Sequence, residues 1–439
     1  MVALDDVFGI SANVDSRSYV DRGGLDERFK RALGSQRHVA VHGGSKQGKS
    51  WLRTKGLRDD DAIVVQCQPS SSATSLLREA LGRLGVVATL HMSRTRDIEG
   101  TLDFKGAVEL GKILAKAKVE GSAGATVSSS TTTETEPIGQ TAADLLWVAR
   151  TIVASGKRLV LEDFHYLDEE TQREFAFLLK AMGEYGMFVL VIGVWPWDHL
   201  LTYYNGDLDG RIEDIHLTWE DSELAQVLGQ GADALRIDFD TNLVDDLVSE
   251  AFGSVGLLQR LAAQLCIAEG IHSGHHGIGK RRVARGPSLE TAKQAVADQM
   301  QGRFQTFADN FVRGIRQLPQ GLEVYRHLLQ AATDASDQEL MTGIDSNVLL
   351  QRICAQTGGN GIRLSDLTQA LDRIDRLQVK IAVNPLVLTY TKSSRKLSLA
   401  DRAFLFFRRH GSPQWPWAEG EPDISNDLAA SDPLDIDHD

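Results

Sequence analysis

Apolar and polar positions along this chain follow two periods, and the switching between them predicts an α/β order. Arg37–His42, Asp61–Cys67, Lys157–Leu161 and Met187–Gly193 are short, nearly continuous runs of β-branched and aliphatic residues. Runs of this kind suit strands buried on both faces of a parallel sheet. Helical spacing separates them, over Gly24–Leu33 (ended by Gly34), Trp51–Lys55, Ala73–Leu84, Thr141–Ala154 and Glu169–Met182. Strand and helix in regular alternation predict a sheet covered by helices on both sides.

Two stretches depart from that alternation. From about Val87 to Ile138 a long insertion shows period-two alternation around Leu102 and Phe104 and again over Ile113–Gly121, followed by the Ser/Thr-rich run Thr126–Thr135. This predicts a β-hairpin insertion at 87–138, either a contact surface for a partner, DNA or a neighbouring subunit, or an excursion without a role. Beyond Ser288 the pattern is helical through Leu329. Asn347–Ile353 then reads as one helix, and Ser365 as the cap of another over Asp366–Leu377. Leu386–Thr391 and Lys396–Leu399 alternate around the turn Lys392–Arg395, and Asp401–Arg409 is an aromatic helix. Helix, helix and hairpin in that order predict a C-terminal winged helix.

Composition changes this picture little. At 439 residues, with 42% hydrophobic and 24% charged residues, the chain is long enough for two or three domains with substantial cores. No run is long enough to span a bilayer, and the acidic start Met1–Asp6 is unlike a signal peptide, so a cytoplasmic protein without a membrane partner is expected. Cys67, Cys266 and Cys354 are far apart in apolar surroundings and read as reduced core residues. The net charge is −13, but eight acids from Glu419 to Asp439, with no Lys or Arg among them, account for most of it. The body is thus only mildly acidic, and 413–439 reads as an acidic, disordered tail.

The chemistry is concentrated in Gly43-Gly44-Ser45-Lys46-Gln47-Gly48-Lys49-Ser50, which fills every fixed position of G-x-x-x-x-G-K-[ST]. A triphosphate needs several converging backbone N–H donors, and glycines allow the backbone to curl that tightly. Lys49 is expected to reach the β- and γ-phosphates of ATP, and the Ser50 hydroxyl to ligate Mg²⁺ at a helix start, with Trp51 following in the same turn. The alternative is a glycine turn that binds nothing.

The second chemical element is Lys157–Leu167, where the apolar strand ends in Glu162-Asp163. Acids at the carboxyl end of such a strand lie at the edge where the phosphate loop opens. Glu162 is assigned to Mg²⁺ and Asp163 to activation of the attacking water. Their order is reversed from the usual Asp-then-acid, so shared roles or slow hydrolysis are also open.

Together these residues resemble the AAA+ and STAND-type P-loop ATPases, from Tyr19 to about His410. Tyr19-Val20-Asp21-Arg22 looks like the segment that precedes the first strand in those families and packs against adenine; a simple packing turn is the alternative. The acid-acid-x-His-x-Leu ending, with His165, is closer to the STAND type. His165 reads either as a γ-phosphate sensor or as a surface histidine with a structural hydrogen bond. Where AAA+ proteins carry a polar sensor after the fourth core strand, this chain has Val194-Trp195-Pro196-Trp197-Asp198, and the tryptophans read as packing. Arg211, ahead of the last core strand, corresponds to an arginine finger acting in trans, or pairs locally with Asp207, Asp209 or Asp214. Gly253–Leu261 resembles the start of the lid, with Gly256 where an arginine is expected and Arg260 one turn later.

The resemblance implies four parts: an ATPase core (1–218), a helical lid with a basic loop (219–287), a helical linker and winged helix (288–412), and the tail. It implies an ATP-dependent switch that hydrolyses slowly and controls an effector protein or a like subunit, in roles such as antiphage defence. The alternative is a DNA-binding AAA+ loader or transposition-type ATPase, or a winged-helix transcription regulator. The basic cluster Lys280, Arg281, Arg282 and Arg285 and the wing residues Lys392, Arg395 and Lys396 keep DNA in view. Against it, Arg373 and Arg376 stand among Asp366, Asp372 and Asp375, and the basic loop has no aromatic residue for base stacking.

Overall fold

The structure is a computed structural model that describes residues 2–9, 17–86, 89–90, 102–103, 142–313, 324–358, 362–381 and 383–417. It divides into two compact units, residues 1–292 with 400–402, and residues 293–399 with 403–439.

The first unit is built on a five-stranded sheet of β1 (His38–Gly43), β2 (Ala62–Gln66), β5 (Arg158–Glu162), β6 (Val189–Ile192) and β7 (Ile212–Leu217), in the order β2-β5-β6-β1-β7. Every neighbouring pair in it is parallel. Strand alternation sends Val39, Val41, Val160, Leu190 and Ile192 to one face, where they pack with Phe29 of α2 (Leu25–Gly34) and Leu52 of α3 (Lys49–Gly56). Ala40, Leu159, Leu161, Val189 and Val191 face the other way, toward α4 (Ala73–Arg83), α5 (Leu145–Ala154) and α6 (Glu169–Glu184). Because both faces are covered, β1, β2, β5 and β6 are largely apolar, whereas β7 at the sheet edge mixes Ile212, Ile215 and Leu217 with the polar Glu213, Asp214 and His216.

The four strands expected from continuous apolar runs are all present, and α3 extends the expected Trp51–Lys55 to Lys49–Gly56. Of the insertion at 87–138, the strands β3 (Thr89–Leu90) and β4 (Leu102–Asp103) pair antiparallel. Its remaining residues lie outside the described ones, as do residues 418–439 of the acidic tail.

The short helices α1 (Asp5–Phe8) and α7 (Leu200–Tyr204) also belong to this unit, which continues past β7 through α8 (Asp221–Leu235), β8 (Ile237–Phe239), α9 (Thr241–Glu250) and α10 (Val255–Ala268). The glycine-rich loop after α10 is less open than its composition suggests. Arg281–Val283 forms β9, parallel to β8, and each basic residue there has an acidic partner. Lys280 pairs with Asp233, Arg281 with Glu269 (3.6 Å), Arg282 with Asp240 (2.6 Å) and Arg285 with Asp246 (2.6 Å).

The boundary between the units falls within α11 (Pro287–Arg313). The second unit contains α12 (Val324–Thr333), α13 (Asp337–Thr342), β10 (Ile344–Asp345), α14 (Ser346–Gln356), α15 (Leu364–Asp372), α16 (Ile374–Lys380), β11 (Leu388–Thr391), β12 (Lys396–Leu399) and α17 (Ala403–His410). The helix expected over Asp366–Leu377 is thus broken at Arg373, and its N-cap is Arg363 rather than Ser365. β11 and β12 form an antiparallel hairpin, and β10 pairs with β12. Buried Gln378 joins α16 to the hairpin. Its amide N–H donates to the Leu388 carbonyl (2.7 Å), and its carbonyl accepts from the N–H groups of Val387 (2.9 Å) and Leu388 (3.0 Å). Phe304, Phe307, Phe404, Phe406 and Phe407 are fully buried. Among the described residues no helix is long and apolar enough to cross a membrane.

Candidate phosphate-binding site

The turn from β1 into α3 is built by glycines whose geometry other residues resist. Gly43 has φ +135°, and a Cβ there would lie 2.5 Å from the backbone oxygen of Leu217 on β7, so β1 and β7 approach at that point only without a side chain. Gly48 caps α3 at φ +86°, and Lys46 also takes a left-handed conformation at φ 57°. The loop therefore curls back on itself at the carboxyl edge of the sheet, where α/β folds bind ligands. Lys49 folds over it, its Nζ donating to the carbonyls of Gly44 (2.6 Å) and Gly43 (3.3 Å). Burial lowers the Lys49 pKa to about 8 against the opposing attraction of Asp163. Ser50 is exposed in the first turn of α3, with Trp51 next to it.

Three segments of the same unit close on this loop. From the N-terminal side comes Arg22, whose guanidinium lies 4.1 Å from the Trp219 ring centroid and donates to the carbonyls of Thr218 (3.2 Å) and Gln47 (3.4 Å). Trp219 Nε1–H also donates to the Gln47 carbonyl (3.2 Å). From the turn before α10, Gly253 accepts from the Gln47 side-chain amide (3.1 Å), and Gly256 N–H donates to the Lys46 carbonyl (3.2 Å). Ala400–Arg402 form the third segment. The Ala400 carbonyl accepts from Ser45 N–H (2.8 Å), and Arg402 donates to the Phe252 carbonyl (3.1 Å).

Gly256, in the place expected for an arginine, has a packing reason. A Cβ there would lie 2.7 Å from Cβ of Lys46, so the first turn of α10 abuts the phosphate loop.

The two acids of β5 stand in different surroundings. Glu162 is buried, and both of its carboxylate oxygens are engaged, one by Arg53 Nε of α3 (3.2 Å) and the other by the Gln66 amide (2.7 Å). Asp163 takes a left-handed conformation at φ 59° and is the acid that interacts with Lys49. Burial raises its pKa, as does the neighbouring Glu162 charge, while Lys49 lowers it. A Mg²⁺ ion beside Ser50 would find Asp163 without a side-chain hydrogen bond of this kind among the described residues, whereas Glu162 would first have to release Arg53 and Gln66.

His165 is half-buried and packs at a tilt against Tyr166, with 4.1 Å between ring centroids. Neither ring nitrogen has a hydrogen-bond partner among the described residues, so the structural hydrogen bond expected as one alternative is not among them. Burial drives its pKa to about 3, with Lys49 acting in the same direction. Its backbone N stands near Gly193, at the end of β6. Trp195 is core, packed edge-on against Phe164 at 6.4 Å, in line with the packing role expected for it.

Two expected residues lie apart from the loop contacts. Tyr19 donates its hydroxyl to Asp26, with Lys55 Nζ 4.8 Å from its ring centroid; burial and the Asp26 carboxylate push its pKa above the usual range. Within the Tyr19–Arg22 segment it is Arg22 that reaches the loop. Arg211 lies at the amino edge of the sheet, its carbonyl accepting from His38 N–H (3.0 Å). Its half-exposed guanidinium is 3.7 Å from Glu184, rather than paired with Asp207, Asp209 or Asp214. Sequence reasoning did not single out Arg53, Gln66 or Trp219. Their roles depend on strand and helix neighbours far away in the chain, and the one available signal was the helical spacing of Arg53 from Lys49.

This sheet order, with a phosphate-type loop between β1 and α3 and an acid-ended β5 two strands away, is the P-loop NTPase fold. No family profile matches the chain, and no curated protein matches it. Among solved structures it is similar to the Walker-type ATPase PABY2304 of Pyrococcus abyssi, with a TM-score of 0.53 at 12% identity, covering 92% of this chain and 99% of that one. A weaker similarity is to Cdc6p of Pyrobaculum aerophilum (TM-score 0.38, 13% identity, 93% and 98% covered). Another is to the RuvB Holliday junction branch migration motor of Thermotoga maritima (0.36, 10%, 88% and 94%). At these identities the likeness is one of fold.

Proposed function

We propose that this chain is an ATP-binding switch. The loop Gly43–Ser50 holds the phosphates of ATP, Lys49 contacts the β- and γ-phosphates, and Ser50 with Asp163 holds Mg²⁺. The observation that carries this reading is the loop itself. Its left-handed residues curl the backbone as a phosphate cradle requires, and the Lys49 ammonium, which donates to the Gly43 and Gly44 carbonyls, would turn to phosphate. Asp163, beside Lys49, is the better candidate for metal or water, and Glu162 takes part only if Arg53 and Gln66 release it. Slow hydrolysis fits that restraint on Glu162. His165, with no hydrogen-bond partner among the described residues, is the candidate sensor of the γ-phosphate.

The state of the nucleotide would pass to α10, because Gly256 and Gly253 both bond to the loop. The second unit reads as a winged helix on the strength of α14, α15 and the β11–β12 hairpin, and serves to contact an effector or a like subunit. Arg211 and Tyr19 keep the trans-acting and adenine roles as proposals. Work in signalling or antiphage defence rests on the resemblance alone. The test is ATP binding by calorimetry, with mass by light scattering, with and without ATP. Tight binding that Lys49→Ala abolishes, together with a change in mass or shape, is expected; unchanged mass and shape on saturation would remove the switch.

DNA handling is the second reading. Lys392, Arg395 and Lys396 of the hairpin favour it, while the acidic partners of Lys280, Arg281, Arg282 and Arg285 weigh against that loop as a phosphate contact. It requires salt-sensitive duplex binding and stimulation of ATPase activity by DNA.

A further inference from the structure

Next to the phosphate loop, the same sheet edge carries a second convergence of ligand atoms. His42, immediately before Gly43 on β1, stands directly opposite His216 on β7, and the segment after β6 brings in Asp198. His42 Nε2 is 3.2 Å from Asp198 Oδ1, and His216 Nδ1 is 3.4 Å from the same oxygen. All three atoms lie within 4.8 Å of one another. Asp214 adds an oxygen 3.8 Å from His42 Nε2, while its other oxygen is 3.1 Å from His199 Nδ1.

The protonation of His42 makes this more than a polar cluster. Its side chain is fully buried, and its Nδ1 lies 3.2 Å from the carbonyl oxygen of Trp195. A carbonyl can only accept, so Nδ1 carries a proton and Nε2 is the nitrogen left to bind a ligand. That nitrogen has no hydrogen-bond partner among the described residues, and it faces two carboxylates. Facing carboxylate oxygens, that nitrogen needs either a proton or a metal cation between them. A metal-bound histidine commonly has its other nitrogen held by a backbone carbonyl in this way.

We infer that His42 Nε2, Asp198 Oδ1 and His216 Nδ1 bind a divalent transition metal of the Zn²⁺ class, with Asp214 or water as the fourth ligand. Bonds of about 2.0–2.1 Å in a tetrahedral site put neighbouring ligand atoms about 3.3 Å apart, close to the separations from Asp198. Imidazole ligands select such a metal over Mg²⁺, whose hard oxygen sites belong with Ser50 and Asp163. The ion would clip the segment after β6, where a sensor residue was expected, onto the ends of β1 and β7. This does not depend on the nucleotide reading.

The test uses the full chain without nucleotide, titrated with Zn²⁺ against a chromogenic chelator, with thermal unfolding followed in parallel. Asp198 and His216 are more exposed than His42 and are the positions to change. One Zn²⁺ per chain is expected, with affinity at least about tenfold weaker in both Asp198→Ala and His216→Ala and a Zn²⁺-dependent rise in Tm that both variants lose. His275→Ala/His276→Ala, in the loop after α10, should bind Zn²⁺ like wild type. Absence of stoichiometric binding, or binding unchanged by Asp198→Ala and His216→Ala in folded protein, would overturn the proposal, and loss of binding in the His275/His276 variant alone would place the metal elsewhere.

Discussion

Gly256→Ala tests whether the first turn of α10 is fitted to the phosphate loop. The added Cβ would lie 2.7 Å from Lys46 Cβ and 3.2 Å from the Lys46 carbonyl oxygen, which accepts the Gly256 N–H at 3.2 Å. Neither neighbour is the free end of a flexible side chain, so either the loop or the helix must shift. Overpacking of this kind costs about 1–3 kcal/mol, and loosening the N–H to carbonyl bond adds about 1 kcal/mol. Alanine's better helix propensity offsets about 1 kcal/mol, leaving a net loss of about 1–3 kcal/mol. Gly229→Ala is the matched control. Gly229 lies in α8 with nothing within 4 Å of the new Cβ, so only the propensity gain applies, and stability should rise by up to about 1 kcal/mol. Urea unfolding of the two variants should therefore shift in opposite directions. If about 1 kcal/mol of the strain falls on the loop, ATP affinity should drop roughly fivefold in Gly256→Ala alone. A Gly256→Ala protein as stable as the Gly229→Ala protein would refute the contact between α10 and the loop.

Other predictions follow from the same geometry. Because burial lowers the Lys49 pKa to about 8 and phosphate favours its charged form, ATP affinity should fall as pH rises through about 8, by up to about tenfold per unit; calorimetry from pH 7 to 9 reads this, and Lys49→Arg should flatten it. Asp163→Asn keeps a residue tolerant of φ 59° and should retain ATP while lowering hydrolysis by about 10²-fold or more, whereas Glu162→Gln should cost stability, since Arg53 loses its buried partner. His38 is buried, with its pKa lowered to about 4, and accepts from Val189 N–H (3.0 Å). The unfolded chain binds that proton below pH 6.5 and the folded one does not, so the stability His38 confers is complete above 6.5 and falls toward pH 4, by up to about 3 kcal/mol. Urea midpoints across that range, with His38→Asn as the variant lacking the slope, check it.

The strands β1, β2, β5 and β6 were readable because their runs are largely apolar, and a run such as Val189–Ile192 has no amphipathic alternative. The phosphate loop was readable because its residues are consecutive. What depended on distant neighbours was hidden. Glu162 and Asp163 look equivalent in sequence, yet only Glu162 is held by Arg53 and Gln66. Gly256 looked like a missing arginine until Lys46 was seen against it. The loop after α10 looked open because glycine content signals freedom, but β9 pairs with β8 and acids from α8, α9 and elsewhere neutralise its charge. His42 drew no notice, since histidines at the two ends of an apolar run carry no spacing signal of a ligand set. Only strand register sets it opposite His216.

The most direct test of the central claim is ATP affinity of wild type and Lys49→Ala in the presence of Mg²⁺, measured by calorimetry on protein shown to be folded. The account predicts one ATP per chain for wild type and binding weakened beyond detection in Lys49→Ala. Equal affinity in the two proteins, or no ATP binding by wild type, would contradict it.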